Sequence, residues 1–314
     1  MTADITQTHK APKAWLVPLL CLFFGGALLG LSTNLAKLAG ELTLAPMAFL
    51  TWSISGAAII LLSIARVRRA LPPINLRCLE YYGVSALVGV AGSNFIFFSA
   101  VPHVGAGFVA LIISLPPLLT YVGALTLGME RFNILRATGV AAALGGAAVL
   151  AISKLSAANA DNFWILLALL GPVLLAIGNI YRTLRWPPGV AAAALAPGML
   201  VAAAFMLIVT GLITDLPLHL PQENALPLAL IFAQALVFSG QFLLMFILQK
   251  NGGPVLLSLL GAVGAIVGVP VAVLLQGEAP PEGLLLGALL IGGGVALVTL
   301  GHTKASPTAG SVAK

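Results

Sequence analysis

The sequence predicts an all-α integral membrane protein of ten transmembrane helices in two inverted five-helix repeats. Three observations predict it. The first is composition: of 314 residues, 60% are hydrophobic and 8% charged, with a mean hydropathy of +1.09. A soluble domain carries about 25% charged residues. The second is run length. The apolar stretches are continuous and roughly 20 residues long, as a helix needs to cross a hydrocarbon core, and lack the alternation of a membrane barrel. The third is a stretch that occurs twice. Gly105 leads through an apolar run to Glu130 and then to Gly139 and Gly145-Gly146. Gly253 leads in the same way to Glu278, Gly287 and Gly293-Gly294. Every matched pair is separated by 148 positions without a gap, which marks two homologous halves.

The elements follow in order. Residues 1–13 form a polar tail expected in the cytoplasm. Helix 1, Ala14–Leu35, is too long for a signal-peptide core and ends in no Ala-x-Ala site. Helix 2, Ala45–Ala65, stops at the cations Arg66, Arg68 and Arg69. Helix 3 is Tyr81–Ala100. Helix 4, Gly105–Leu127, carries Pro116-Pro117 near its middle, where lost backbone donors predict a kink or a break. Helix 5, Leu135–Ser153, completes the first repeat, residues 14–154. The second repeat, residues 163–304, holds Phe163–Tyr181, Gly189–Ile213, Leu226–Leu248, Val255–Leu275 and Gly283–Leu300. Turns are expected at Val101–Val104 and Gln249–Pro254. Residues 305–314 form a second cytoplasmic tail.

Topology follows from the cations in the loops. With the N-terminus inside, Lys10, Lys13, Arg66, Arg68, Arg69, Arg77, Arg131, Arg136, Arg182, Arg185, Lys250, Lys304 and Lys314 fall inside, and Lys37 and Lys154 outside. Glu41, Asp161, Asp215, Glu223, Glu278 and Glu282 fall outside. The net charge of +6 is thus read as membrane topology, not as a nucleic-acid signal. Five crossings per repeat force the second half to enter from the opposite face, the construction of many secondary transporters. An inner, plasma-membrane location in a bacterium is expected.

The segments "ALTLGMERFNILRATGVAAALGGAAVL" and "AVLLQGEAPPEGLLLGALLIGGGVALV", with "HVGAGFVALIISLPPLLTYVG" before the first, resemble the EamA repeats of the drug/metabolite transporter superfamily. The resemblance covers both halves and is strongest over helices 3–5 and 8–10. It implies ten helices, a central cavity lined by helices 1–4 and 6–9, and transport, usually export, of amino acids, related metabolites or drugs. Many members carry an arginine in helix 2, where this chain has Trp52 within "FLTWSIS", so no role of that arginine carries over.

The polar inventory bears on the cavity without the resemblance. Helices 5 and 10 are almost free of polar side chains and read as peripheral packing elements. The other helices carry polar groups that are costly against lipid. The candidate substrate-binding residues are Asn34, Trp52, Asn94, Ser114, Thr120, Tyr121, Asn179, Gln234 and Ser239; Gln241 lies nearer the inner end. The competing reading for each is interhelical hydrogen bonding, and for Trp52 packing or an interfacial position. Glu130 and Glu278 read first as acids at the N-terminal dipoles of helices 5 and 10, and secondarily as coupling groups. Glu80, Tyr81 and Tyr82 read as an interfacial belt, with a gate as the alternative.

No carboxylate sits in the middle of a span, and there is no Walker or His-Glu-x-x-His motif. Cys21 and Cys78 offer no disulfide framework and no metal spacing. No cofactor or metal is expected. The expected partners are a small-molecule solute and the bilayer, with no nucleic acid, and the chain is expected to be a monomer. The leading function is export of small organic metabolites, most of all amino acids or related zwitterionic and apolar solutes, by alternating access. The alternatives are a multidrug exporter of the same fold and a membrane enzyme acting on a lipid-linked substrate.

Overall fold

Large apolar side chains cover both the packed and the outward faces of these helices. Ile59, Phe205 and Leu289 are each about two-thirds exposed, as befits helices whose solvent is lipid. The computed structural model describes residues 16–129, 131–155, 161–220, 225–280 and 283–305. The tail 1–13, Glu130, Glu223, Glu282 and residues 306–314 lie outside the described residues. Among the described residues every regular element is helical, and the chain makes ten crossings.

Helix α1 (Leu16–Glu41) runs farther than expected. Its last turns are held because Lys37 reaches across to the Gln276 carbonyl and to Glu278. Helix α2 (Pro46–Val67) starts on a proline, which suits a first turn whose N–H groups have no partner. The third crossing is continuous over Leu76–Val104. It comprises α3 (Leu76–Ala86), a five-residue π-helical segment (Leu87–Ala91) and α4 (Gly92–Val104). It begins earlier than expected because Asn75 caps it, its side chain accepting from the Cys78 N–H at 2.9 Å.

The fourth crossing is broken into α5 (Ala106–Ile112) and α6 (Pro116–Thr126). The reason is the proline pair. The Ile113 carbonyl would accept from the N–H of Pro117, which has none. The remaining elements are α7 (Ile134–Leu155), α8 (Asn162–Leu184), α9 (Ala192–Ile213), α10 (Leu226–Ser258), α11 (Leu260–Pro270) with a π-helical continuation over Val271–Leu275, and α12 (Leu284–Ala305). The turn expected at Gln249–Pro254 falls within α10.

Helices α1 to α6 and α8 to α11 form one bundle. Helix α1 packs on α10 and α11, α2 on α9 and α10, and α4 and α6 on α8. Helices α7 and α12 pack chiefly on each other, at the side of that bundle. In lipid, association rests on close packing rather than on water exclusion, and the contacts show it. A Cβ on Gly30 of α1 would sit 2.8 Å from the backbone nitrogen of Gly268 in α11. Phe49 stacks on Phe98, Phe98 on Phe238, and Phe238 lies against Phe242, at centroid separations of 5.7, 5.9 and 5.6 Å.

Loop contacts sort the helix ends onto two faces. At the face where α1 ends, His103 pairs with Asp161 at 3.3 Å, Trp52 donates to the Leu218 carbonyl, and Glu278 binds the start of α5. At the face where α1 begins, Tyr82 meets Pro73, Tyr181 meets Glu80, and Tyr121 meets Asn133. These are the loop groupings that ten alternating crossings require.

Candidate functional site

A central cavity of about 70 Å³ opens among α1, the third crossing, the α5–α6 break, α8, α10 and α11. It has room for a carboxylate-sized group and a few waters; drug-sized pockets run to several hundred cubic ångströms. Its apolar wall includes Leu29, Phe97, Leu175, Phe242, Met245 and Leu260. Its polar groups are Asn94, Asn179, Arg182 and Gln241. Among the described lining residues none is acidic.

Arg182 is the strongest charge in this wall, and the local fold makes its place. Helix α8 continues to Leu184, so Arg182 lies within the crossing and is only 1% exposed. Asn179 precedes it by three residues on the same helical face and accepts from Nη2 at 2.7 Å. Across the gap stands Gly89, in the π-helical segment of the third crossing. A Cβ there would collide with Nη1, so the guanidinium fits because residue 89 has no side chain. Nη1 and Nε have no hydrogen-bond partner among the described residues. The Oε1 of Gln241, which is 5% exposed, also lacks one. Asn94 donates from Nδ2 to the Val90 carbonyl at 2.9 Å. The break between α5 and α6 brings Ile113 and Pro116 to the wall, and the Ile113 carbonyl presses on Gly261 of α11.

Two structures bracket the cavity along the bundle. Toward the face where α1 begins, Tyr81 packs among Tyr82, Tyr181 and Trp186, and Trp186 packs on Phe246. Tyr81 and Tyr82 are nearly fully buried, so they pack inside the bundle rather than forming a belt against lipid headgroups. Toward the other face, polar groups tie α1 to α11. Asn34 donates to the Gly268 carbonyl at 3.0 Å, Gln276 donates to the Asn34 carbonyl at 2.9 Å, and Lys37 lies 3.6 Å from Glu278.

Glu278 completes that closure in an unexpected way. It was expected at the dipole of its own following helix. Instead it accepts from the N–H groups of Ala106 and Gly107, at 3.0 and 3.2 Å, the first turn of α5. Gly105, at φ +88°, directs those donors toward it; the Glu278 carboxylate fills the space where a Cβ on Gly105 would stand. Glu130 lies outside the described residues.

Of the nine candidate residues, the cavity wall includes Asn94 and Asn179. The other seven take part elsewhere. Asn34 joins α1 to α11. Trp52 is 40% exposed and bonds the loop after α9. Ser114 donates to the Leu111 carbonyl at 2.6 Å and faces an apolar groove beside α11 and α12. The Thr120 hydroxyl is buried without a partner among the described residues. Tyr121 accepts from the Asn133 N–H at 3.0 Å and lies beneath Arg136, 3.9 Å from the ring centroid. Gln234 donates to the Ser32 hydroxyl at 2.6 Å, and Ser239 to the Ala235 carbonyl at 2.7 Å.

Sequence reasoning missed Arg182, which was grouped with the loop cations because the expected span stopped at Tyr181. The signal was present as Asn-x-x-Arg, two polar residues on one face of an apolar helix. With Arg182 moved into the bundle, the cation bias between the faces remains strong.

The geometry agrees with comparisons to known proteins. Residues 16–152, the first five crossings, match the model of the EamA-like transporter family. No individually curated protein matches the chain. One solved crystal structure shares 18% identity and a TM-score of 0.63, covering 92% of this chain and 97% of that one, a likeness of fold. The first five of these ten apolar crossings, residues 16–152, thus carry the match to the EamA-like transporter family, within the drug/metabolite transporter superfamily.

Proposed function

We propose that the protein exports small organic solutes by alternating access about the central cavity, with amino acids and related zwitterionic or apolar metabolites as its main cargo. The observation that carries this is the cavity wall: uncharged amide side chains and one cation set in apolar surface, at mid-bundle, where both closures can reach it. Asn94 and Asn179 are the substrate-contacting residues of this reading. The cation in the wall repels cationic drugs, which favours metabolites over multidrug export. The match to a transporter family favours transport over chemistry on a lipid-linked substrate.

Two further parts of the proposal rest on symmetry and charge. The halves 14–154 and 163–304 are inverted repeats, supported by the paired glycine contacts between α7 and α12 described below. Both termini face the cytoplasm of a bacterial inner membrane, supported by the cation bias. The protein works as a monomer, since one chain encloses the cavity.

Everted membrane vesicles test the cargo. Vesicles carrying the protein are expected to accumulate radiolabelled neutral amino acids above control vesicles, and to ignore bulky cationic drugs. Drug accumulation without amino-acid accumulation would move the assignment to the multidrug alternative.

A further inference from the structure

A lone guanidinium deep in a membrane protein is costly. Burying an unpaired cation is strongly unfavourable even after relaxation. Arg182 is 1% exposed, and among the described residues its side chain hydrogen-bonds the neutral Asn179, with the neutral phenol of Tyr81 nearby. Its Nη1 and Nε donors have no partner among the described residues, and the residue lines the central cavity. Among the described residues no acidic side chain lines that cavity to neutralise it. Gly89 is bare where any side chain would push the guanidinium aside. A site that holds a cation in place, removes obstacles and leaves its donors unused is arranged for an anion that arrives from outside the protein.

We infer that Arg182 is the anion-binding group of the central cavity and that its ligand is the carboxylate of a small monocarboxylate with an apolar body. The inference rests on the transporter reading and deepens it by naming the recognised group. A planar guanidinium matches a carboxylate through two parallel N–H···O bonds. One cation neutralises one negative charge, so a phosphate dianion would remain half unpaired in an apolar enclosure. The body of the solute meets Phe97, Phe242 and Met245. The free Oε1 of Gln241 accepts from a hydroxyl or ammonium on the same solute. Asn179 positions the guanidinium by occupying Nη2.

The test uses the full-length protein in nanodiscs and four probes: 3-phenylpropionate, L-phenylalanine, 3-phenylpropionamide and phenyl phosphate. Binding is read by isothermal titration and by ligand-induced thermal shift. Either acid is expected to bind roughly ten- to a hundredfold more tightly than the amide, the span of a hydrogen bond to a charged group, and more tightly than phenyl phosphate. Arg182→Gln is expected to abolish the preference for acid while leaving amide binding in place. Arg182→Lys retains part of it, because the charge stays and the planar fork is lost. Equal binding of acid and amide by the native protein overturns the inference, as does tighter binding of phenyl phosphate or no binding of either acid. The native comparison needs no variant, so it stands even if Arg182→Gln misfolds. Arg182-dependent binding without flux in proteoliposomes would keep the carboxylate site and sink transport. Flux that does not distinguish acid from amide would keep transport and sink the site.

Discussion

A Cβ on Gly146 of α7 would lie 2.7 Å from the carbonyl oxygen of Gly287 in α12. The same Cβ would lie 3.0 Å from the nitrogen of Ile291. The contact recurs 148 positions later with the partners exchanged. A Cβ on Gly294 would collide with the Gly139 carbonyl and lie 2.8 Å from the nitrogen of Ala143. Residue i meeting j while the counterpart of i meets the counterpart of j is the mark of a two-fold relation. This exchange relates α7 to α12, and it is the contact that the proposed repeat requires.

The same contact gives the first prediction. Gly145 and Gly293 have nothing within 4 Å of an added Cβ. Gly146→Ala and Gly294→Ala are therefore expected to cost about 1–3 kcal/mol by overpacking. Gly145→Ala and Gly293→Ala should be neutral or slightly stabilising, since alanine is the better helix former. Thermal unfolding of the four purified variants measures the contrast. Equal effects within each adjacent pair would contradict the close approach.

The cap on α5 gives the second. Glu278→Ala removes a charged acceptor from two buried backbone donors and a partner from Lys37. A loss of about 1–3 kcal/mol is expected from the unsatisfied N–H groups. Lys37→Met should cost less, because it leaves those hydrogen bonds intact. Gly105→Ala should match or exceed Glu278→Ala, since it combines a strained φ of +88° with a collision against the carboxylate. If Lys37→Met proves the most damaging of the three, the ion pair and not the cap holds this face.

Polar residues divide by what they touch, which gives the third. Asn34→Ala and Gln234→Ala break bonds between helices and should lower melting temperature and expression together, by about 1–3 kcal/mol each. Asn94→Ala removes a cavity group and should reduce flux at least several-fold with little change in melting temperature, whereas Asn179→Ala also strips the buried Arg182 of its acceptor and should lower both. A parallel loss of flux and stability at all four positions would erase the distinction.

Helix number could be read from the sequence because lipid demands long apolar runs. The break at Pro116-Pro117 could be read as well, since proline chemistry is local. The site was read less well for two physical reasons. Depth alone does not separate a cavity wall from a helix seam: Asn34 and Gln234 donate across to neighbouring helices, whereas Asn94 donates within its own crossing. And hydropathy ends a span at the first cation, which hid Arg182, although a glycine across the gap let that cation lie inside the bundle.

The fourth prediction concerns orientation. In a background lacking Cys21 and Cys78, both buried, a cysteine at Pro217 should react with a membrane-impermeant maleimide added to intact cells. One at Ile74, which is exposed at the opposite face, should react only after the membrane is opened. The reverse pattern would invert the topology.

The most direct test of alternating access is counterflow in proteoliposomes, which needs no assumption about a coupling ion. Vesicles are preloaded with unlabelled L-phenylalanine at high concentration and diluted into trace labelled L-phenylalanine. Alternating access about the cavity predicts a transient, saturable overshoot of label. It also predicts that Asn179→Ala, folded and equally abundant, reduces the overshoot at least several-fold. Label entry that never exceeds that of protein-free vesicles, across L-phenylalanine and the other neutral amino acids, would contradict it.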